Sequence, residues 1–152
     1  MENLLGDLYS SLDSLYGIPL RDYLLGFDCD ANDYTASILF NQIGIITVFI
    51  SFIIVVAYYY IIDHPKLANI WGWLIFMGVN MALTFIYGYS TTFYDLDANL
   101  ICTAFIEENS IAVTTSSCVG FGFANAIIGT LFFVIISLLL KWKSKTSRYI
   151  PF

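Results

Sequence analysis

Residues that could act as nucleophiles, general acids or metal ligands are few in this chain and lie far apart. The sequence has one histidine, His64, and three cysteines that do not form a close pair. Protein zinc sites usually draw their ligands from pairs such as Cys-x-x-Cys, so no zinc site is expected. His64 belongs to the short Asp63-His64-Pro65-Lys66 link, which is interpreted as a solvated turn and not as a catalytic group.

The densest acidic cluster is formed by Asp28, Asp30 and Asp33. Its alternating acids are superficially like those of an EF-hand loop, but the glycine at the turn position and the terminal glutamate are missing. The Gly-Phe-Gly run at residues 120–122 follows no predicted strand and precedes no lysine, so it favours helix packing over phosphate binding. No serine nucleophile or carboxylate pair is recognised, and the sequence predicts a non-enzymatic protein without a cofactor or a resident metal.

The composition identifies the solvent that surrounds most of the chain. Of the 152 residues, 59% are hydrophobic and 12% are charged, and the mean hydropathy is +0.76. Soluble domains carry roughly 25% charged residues. A chain this short has too little interior to bury so much apolar surface, so that surface is expected to face lipid. The net charge is -6, and no soluble segment long enough to follow a nucleic-acid backbone carries a basic cluster with interleaved aromatics, which argues against nucleic acid as a partner.

Three uncharged stretches predict an all-α integral membrane protein with three transmembrane helices. They cover residues 38–62, 67–93 and 119–140, and a cytoplasmic hairpin at residues 63–66 joins the first two. Roughly 20 apolar residues suffice to cross a bilayer as a helix, because each residue adds about 1.5 Å. The first stretch follows acidic residues and is longer than the core of a signal peptide, so it is expected to remain in the mature protein.

Charge asymmetry predicts the orientation of the three spans. Four basic residues follow the third span in the tail at residues 141–152: Lys141, Lys143, Lys145 and Arg148. Basic residues beside a span favour the cytoplasmic side, and these four are also expected to contact anionic lipid. The C-terminus is therefore predicted inside a cell inner (plasma) membrane, with the segment at residues 1–37 and the loop at residues 94–118 both extracytoplasmic.

The two extracytoplasmic segments are expected to contain secondary structure. Leucines recur at helical intervals through residues 4–16, with aspartates between them, which predicts an amphipathic N-terminal helix interrupted near Gly17 and Pro19. Its polar face is acidic instead of basic, so contact with a partner protein or with the loop is expected at least as much as contact with lipid. In the loop, apolar runs at residues 101–106 and 111–115 flank a polar break and predict a small β-hairpin.

All three cysteines are predicted on the extracytoplasmic side, where disulfides can form. A bond between Cys102 and Cys118 would join the hairpin to the head of the third span, and a bond between Cys29 and Cys102 is the competing possibility. Free buried cysteines are a third possibility. The sequence leaves all three open.

Each predicted span carries small and polar residues at helical spacing, which is how membrane helices pack together. The predicted helix-packing residues are Asn41, Gly44, Thr47 and Ser51 on the first span; Asn80, Thr84 and Gly88 on one face of the second and Gly78 and Ala82 on its other face; and Gly122, Asn125, Ala126 and Gly129 on the third. With two such faces, the second span is expected to be the middle helix. These faces either build only the protein's own bundle or leave one face for an oligomer or a partner subunit.

Four amide side chains, those of Asn41, Gln42, Asn80 and Asn125, are predicted in the extracytoplasmic half of the spans. An amide that stays unpaired in hydrocarbon is costly, so the four are expected to form a hydrogen-bonded cluster. The cluster is interpreted as structural glue, with a lining for a polar pathway as the alternative.

The leading functional hypothesis is a non-enzymatic membrane subunit, an anchor or scaffold in a multi-protein cell-envelope assembly of the secretion or injection type. Its expected partners are the lipid bilayer, other membrane or extracytoplasmic proteins, and a second copy of itself. The alternative is a homo-oligomeric pore, because three spans with a short basic tail resemble the topology of one class of phage holins, in topology only. A three-span half-transporter is a weaker alternative.

Overall fold

The computed structural model describes residues 4–28, 33–34, 38–61, 70–98, 100–101 and 113–141. Within these ranges lie five α-helices: α1 (Leu4–Ser10), α2 (Ile18–Leu24), α3 (Leu39–Val56), α4 (Ile70–Asp97) and α5 (Thr115–Lys141). The last three are long and apolar enough to cross a membrane. The prediction of three membrane-spanning helices is thereby confirmed in length and composition.

The helices differ in length from the apolar stretches that predict them. A π-helical turn at Ala57–Ile61 continues α3, α4 runs on to Asp97, and α5 already begins at Thr115. Hydropathy detects where side chains cease to be apolar, whereas backbone hydrogen bonds continue through polar residues. The helices are therefore longer than the predicted spans at the end where α4 ends and α5 begins.

The bundle is organised around α5 and not around the second span. Helix α5 packs along both α3 and α4, whereas α3 and α4 share a much smaller contact. The expectation that the second span lies in the middle is therefore wrong. On the second packing face of α4, Gly78 meets no neighbour among the described residues, since a Cβ there would have no atom within 4 Å. Helix α5 instead uses its two flanks, one against α3 and the other against α4.

The N-terminal segment folds onto one end of this bundle. Helices α1 and α2 are joined by a 3-10 turn at Asp13–Leu15, and Gly17 separates the turn from α2 with a φ of 90° that favours glycine. Residues 4–24 are called the cap here, and the end of the bundle that they contact is called the cap side. This is the end where α3 and α5 begin and α4 ends.

Aromatic rings hold the cap against α3 and α5. Tyr9 stacks on Phe40 with ring centroids 5.1 Å apart, and Tyr16 meets Phe121 edge-on at 5.3 Å. Tyr9 and Phe40 are fully buried, and so are Leu20 and Leu24 of α2. The apolar face of the cap is therefore covered by the protein's own helices.

A short antiparallel pairing follows the cap. Strand β1 (Phe27–Asp28) pairs with β2 (Asp33–Tyr34), and Phe27 lies opposite Tyr34. The sequence does not predict this hairpin, because each strand has only two residues and shows no alternation. The hairpin predicted at residues 101–115 falls almost entirely on residues 102–112, which lie outside the described part of the chain.

Candidate functional site

The candidate site is a series of polar contacts along α5, and its first member is Asn125. The Asn125 Oδ1 atom accepts hydrogen bonds from the Tyr9 hydroxyl of the cap and from Thr47 Oγ1 of α3, the latter at 2.9 Å. Its Nδ2 atom donates to the Thr84 carbonyl oxygen of α4 at 2.7 Å. One amide therefore joins α5 to the cap, α3 and α4. We call Thr47, Thr84 and Asn125 the cap-side layer.

The second contact lies one helical turn further along α5. The Gly129 carbonyl oxygen accepts hydrogen bonds from Ser51 Oγ at 3.1 Å and from Asn80 Nδ2 at 3.0 Å. Ser51, Asn80 and Gly129 form the central layer. The Asn80 Oδ1 atom is buried and has no hydrogen-bond partner within the described ranges.

The third contact lies near the opposite end of the bundle. Ser137 Oγ is 2.9 Å from the Tyr59 hydroxyl and accepts a hydrogen bond from Trp73 Nε1 at 3.0 Å. Tyr59, Trp73 and Ser137 form the far layer, which again joins α5 to α3's continuation and to α4. The helix-packing residues predicted from the sequence do not include this layer, although Ser137 lies two four-residue steps beyond Gly129 on α5.

Glycines let the helices approach closely at these layers. A Cβ at Gly129 would lie 2.7 Å from Thr84 Cγ2, and one at Gly88 would lie 2.8 Å from Asn125 Cβ. A Cβ at Gly122 would meet the Phe85 ring at 2.9 Å. Contacts below 3.0 Å cannot be accommodated without movement, so these positions require glycine for packing.

The first span contributes its packing face to two different contacts. Thr47 and Ser51 face α5, as described above, whereas Gly44 faces the cap. A Cβ at Gly44 would lie 2.9 Å from Leu5 Cδ1. Leu5 of the cap thus packs against α3 at Gly44, a position where the sequence predicts contact with another span.

Only part of the predicted amide cluster forms. Asn125 and Asn80 occupy adjacent layers, but Gln42 is exposed and Asn41 is only partly buried at the start of α3. The inclusion of Gln42 is therefore wrong, because a helix turns by about 100° per residue and neighbouring residues cannot share a face. The cluster gains a member that the sequence analysis misses, Tyr9, since a contact 116 residues away leaves no local signal.

Gly78 and Ala82 lie on the opposite side of α4, where they line an open groove of about 330 Å³. The groove runs between α4 and α5, and Phe85, Phe123 and Ala126 also line it. Its walls are apolar. Of the predicted packing residues, Gly78 and Ala82 are thus exposed to the bilayer, and Ala126 forms part of the groove's floor.

Charges within the cap are paired with one another. Arg21 contacts Asp13 at 2.9 Å and Asp22 at 3.0 Å. Partial burial would lower the pKa of Arg21, but hydrogen bonds and attraction from the two carboxylates raise it above its ordinary value. Two of the carboxylates of the N-terminal acidic face, those of Asp13 and Asp22, therefore share one guanidinium as a counter-ion.

Three cap tyrosines remain neutral at physiological pH. Burial raises the pKa of Tyr9 and of Tyr16 far above the ordinary value. Burial first, and then the nearby Asp95 carboxylate at the end of α4, raises the pKa of Tyr23 to about 12. The cap therefore presents its phenols to the bundle as hydrogen-bonding groups without charge.

The remaining predicted site residues lie mostly outside the described ranges. Cys118 is buried and has a free thiol, while Cys29 and Cys102 are not described. The structure therefore gives no support to either disulfide. Of the basic tail, only the backbone of Lys141 is described, as the end of α5; Lys143, Lys145 and Arg148 are not. Among the described side chains, no three histidine, cysteine or acidic groups come together as a metal site.

No family model, curated protein or solved structure matches the chain.

Proposed function

We propose that this chain is a non-enzymatic membrane subunit that anchors or scaffolds other proteins of a cell-envelope assembly. The supporting observation is a division among the small and polar residues of the spans. The small and polar residues of the three layers form contacts between the protein's own helices. Gly78 and Ala82, in contrast, face outward beside a groove. The interior is a structural core, and the groove is left for contact with another membrane protein.

The polar layers support a structural role for the membrane interior. Asn125, Thr47 and Ser51 have partners on neighbouring helices, so they are not free to bind a passing solute. Hydrogen bonds between membrane helices contribute roughly 0.6–2 kcal/mol each. A homo-oligomeric pore or a half-transporter would instead need polar side chains turned towards a lumen, and the layers turn theirs into the bundle.

The groove supports contact with a transmembrane helix of a partner. Gly78 and Ala82 are four residues apart, which is the small-xxx-small spacing that lets two helix backbones approach in lipid. Met81 and Phe85 border them, and a flexible methionine adapts to the side chains of a docked helix. The protein's own helices leave this face of α4 open.

Charge at the two ends of the bundle supports the proposed orientation in a cell inner membrane. Asp95 and Asp97 lie at the cap-side end of α4, and Lys141 ends α5 at the opposite end. Under the positive-inside rule, the cap side is extracytoplasmic and the basic tail is cytoplasmic.

The test is recovery of partners through a tag on the cytoplasmic tail, after extraction in a mild detergent and mass spectrometry. The Gly78→Leu/Ala82→Leu double variant fills the groove, and a Cβ at position 78 meets no described atom within 4 Å. It should lose a partner that the wild type recovers. Ile46→Phe enlarges an exposed apolar side chain on α3, away from the groove, and should retain that partner. Equal recovery by both variants, or no partner for the wild type, would refute the proposal.

A further inference from the structure

The exposed apolar side chains mark a belt of constant height around the bundle. They cover residues 45–60 on α3 and its π-helical continuation, 70–86 on α4 and 123–139 on α5. On α4 the exposed Ser90 separates this stretch from two further exposed aromatic residues, Phe93 and Tyr94, and aromatic residues of the tyrosine type are enriched at the membrane–water interface. At roughly 1.5 Å per residue, each stretch is about 24 Å long. Exposed polar residues, Gln42 on α3 and Ser90 on α4, follow beyond the cap-side edge of the belt. The belt is therefore the surface in contact with the lipid hydrocarbon.

The hydrogen-bonded layers establish that the three stretches lie at the same height. The belt edge on the cap side lies at residue 45 on α3, 86 on α4 and 123 on α5. Each residue of the cap-side layer lies two residues inside the edge of its own helix. Each residue of the central layer lies six residues inside that edge. Contacts between helices and exposure on their outer faces are independent observations, and they give the same register. The cap-side layer lies about 3 Å inside the hydrocarbon edge.

The cap's contacts fix its own height against this edge. Tyr9 reaches Asn125, which is inside the edge, and Leu5 meets Gly44, which is one residue outside it. The backbone carbonyl of Leu15 lies over Gly120, where a Cβ would collide with its oxygen. Gly120 is three residues outside the edge on α5. The cap therefore spans a narrow zone centred on the hydrocarbon boundary.

From these heights we infer that the cap is an interfacial plug, seated in the phospholipid headgroup layer at the mouth of the bundle. Its Tyr9 hydroxyl occupies the hydrogen-bonding position at Asn125 that water would otherwise take. Its exposed apolar side chains, Leu15 and Ile18, contact the glycerol region and upper acyl carbons. The partner of this surface is the lipid interface itself.

The charges of the cap agree with this position. Arg21 is paired with Asp13 and Asp22, so bringing these groups among headgroups does not strip an isolated ion of water. Asp7 is exposed, and a carboxylate at this height can face headgroups and water without entering hydrocarbon. The inference does not depend on which side of the membrane the cap lies.

The test uses the purified full chain in phosphatidylcholine liposomes, with p-benzoylphenylalanine introduced at one position for photocrosslinking. Leu15→p-benzoylphenylalanine should crosslink to phospholipid near the glycerol. The same substitution at Ile53, which is exposed eight residues inside the belt edge at 45, should crosslink to mid-chain acyl carbons, and that at Asp33, which is exposed on β2, should give no lipid adduct. A position-15 probe that behaves like the position-33 probe would place the cap in water and overturn the inference. One that crosslinks to mid-chain carbons, as at position 53, would overturn it as well.

A second variant tests whether Tyr9 seats the plug. Tyr9→Phe removes only the hydroxyl that contacts Asn125. It should lower lipid crosslinking from position 15 severalfold while crosslinking from position 53 stays unchanged. If Tyr9→Phe leaves the position-15 adduct at its original yield, the hydroxyl does not hold the cap in place. If both positions lose their adducts, the whole bundle has unfolded and a plug separable from the bundle is refuted.

Discussion

A single asparagine links most of the molecule at the residue scale. Asn125 uses its carbonyl oxygen twice and its amide nitrogen once, and each of the three bonds reaches a different element. Asn80, by contrast, makes one such bond through Nδ2, and its Oδ1 atom has no partner in the described structure. The two buried amides thus differ in how many of their hydrogen-bonding atoms have partners. Substituting each one in turn therefore compares the contribution of these hydrogen bonds to stability.

We expect Asn125→Leu to lower the free energy of unfolding by about 2 kcal/mol, because three hydrogen bonds are lost at roughly 0.6–1 kcal/mol each. Asn80→Leu should cost less than half as much, since it removes one bond and also an unpaired oxygen. Denaturant titration of both variants in detergent micelles, followed by circular dichroism, measures the difference. Equal losses would contradict the assigned role of Asn125.

Two glycines in the spans give a second matched pair. Gly129→Ala should destabilise the protein by about 1–3 kcal/mol, because its Cβ would lie 2.7 Å from Thr84 and would force α4 and α5 apart. Gly78→Ala should be neutral or stabilise by up to about 1 kcal/mol, since its Cβ meets no atom and alanine favours the helix. The same titration compares them. A stability loss in Gly78→Ala as large as that in Gly129→Ala would contradict the open groove.

How far residues can be predicted from sequence depends on whether their contacts leave a local pattern. Helical spacing of small and polar residues singles out Thr47, Asn125 and Gly129 in the sequence, and all three are buried in the fold. The contacts of Tyr9 and Trp73 are not predicted from the sequence, because an aromatic residue near the end of a span is equally typical of the membrane interface. Their partners are 116 and 64 residues away, and only the fold brings them together.

At the scale of elements, the cap depends on one backbone contact. Gly120→Ala places a Cβ against the Leu15 carbonyl and should displace the cap while α3, α4 and α5 stay packed. Trypsin cleaves after arginine, so cleavage after Arg21 should become severalfold faster in this variant. Gly78→Ala, which lies away from the cap, should be cleaved at the wild-type rate. Protection of Arg21 in Gly120→Ala would show that the cap tolerates the change.

Alkaline pH should loosen the cap through its tyrosines. The pKa of Tyr23 rises from 10.0 in the unfolded chain to about 12 in the fold, because of burial and then of Asp95. A raised pKa of this kind favours the neutral phenol, so its contribution to stability is complete below pH 10 and is lost as the pH rises to 12. The free energy of unfolding, measured by denaturant titration in detergent micelles, should therefore fall over this range. Tyr23→Phe should reduce this fall, and an identical pH profile for this variant would contradict the assignment.

At the scale of the whole molecule, the sequence predicts the number of spans better than their arrangement. Long uncharged stretches can only be accommodated in lipid as helices, so three spans follow from composition. Which helix is central does not follow, because α3, α4 and α5 all carry small-residue faces. In the sequence, the helical spacing of Gly78 and Ala82 is as regular as that of Asn80 and Thr84. Only the structure shows that the described helices leave the face at Gly78 open.

The central position of α5 has a consequence for the order of events during synthesis. Ribosomes deliver α3 and α4 to the membrane before α5, and those two helices contact each other little. Until α5 arrives, Ser51 and Asn80 lack the carbonyl that they bind, and Tyr9 lacks Asn125. Cap closure is thus the last step of assembly, although the cap is synthesised first. A nascent chain halted before residue 113 should stay bound to the insertion machinery or be degraded, and the full-length chain should be released.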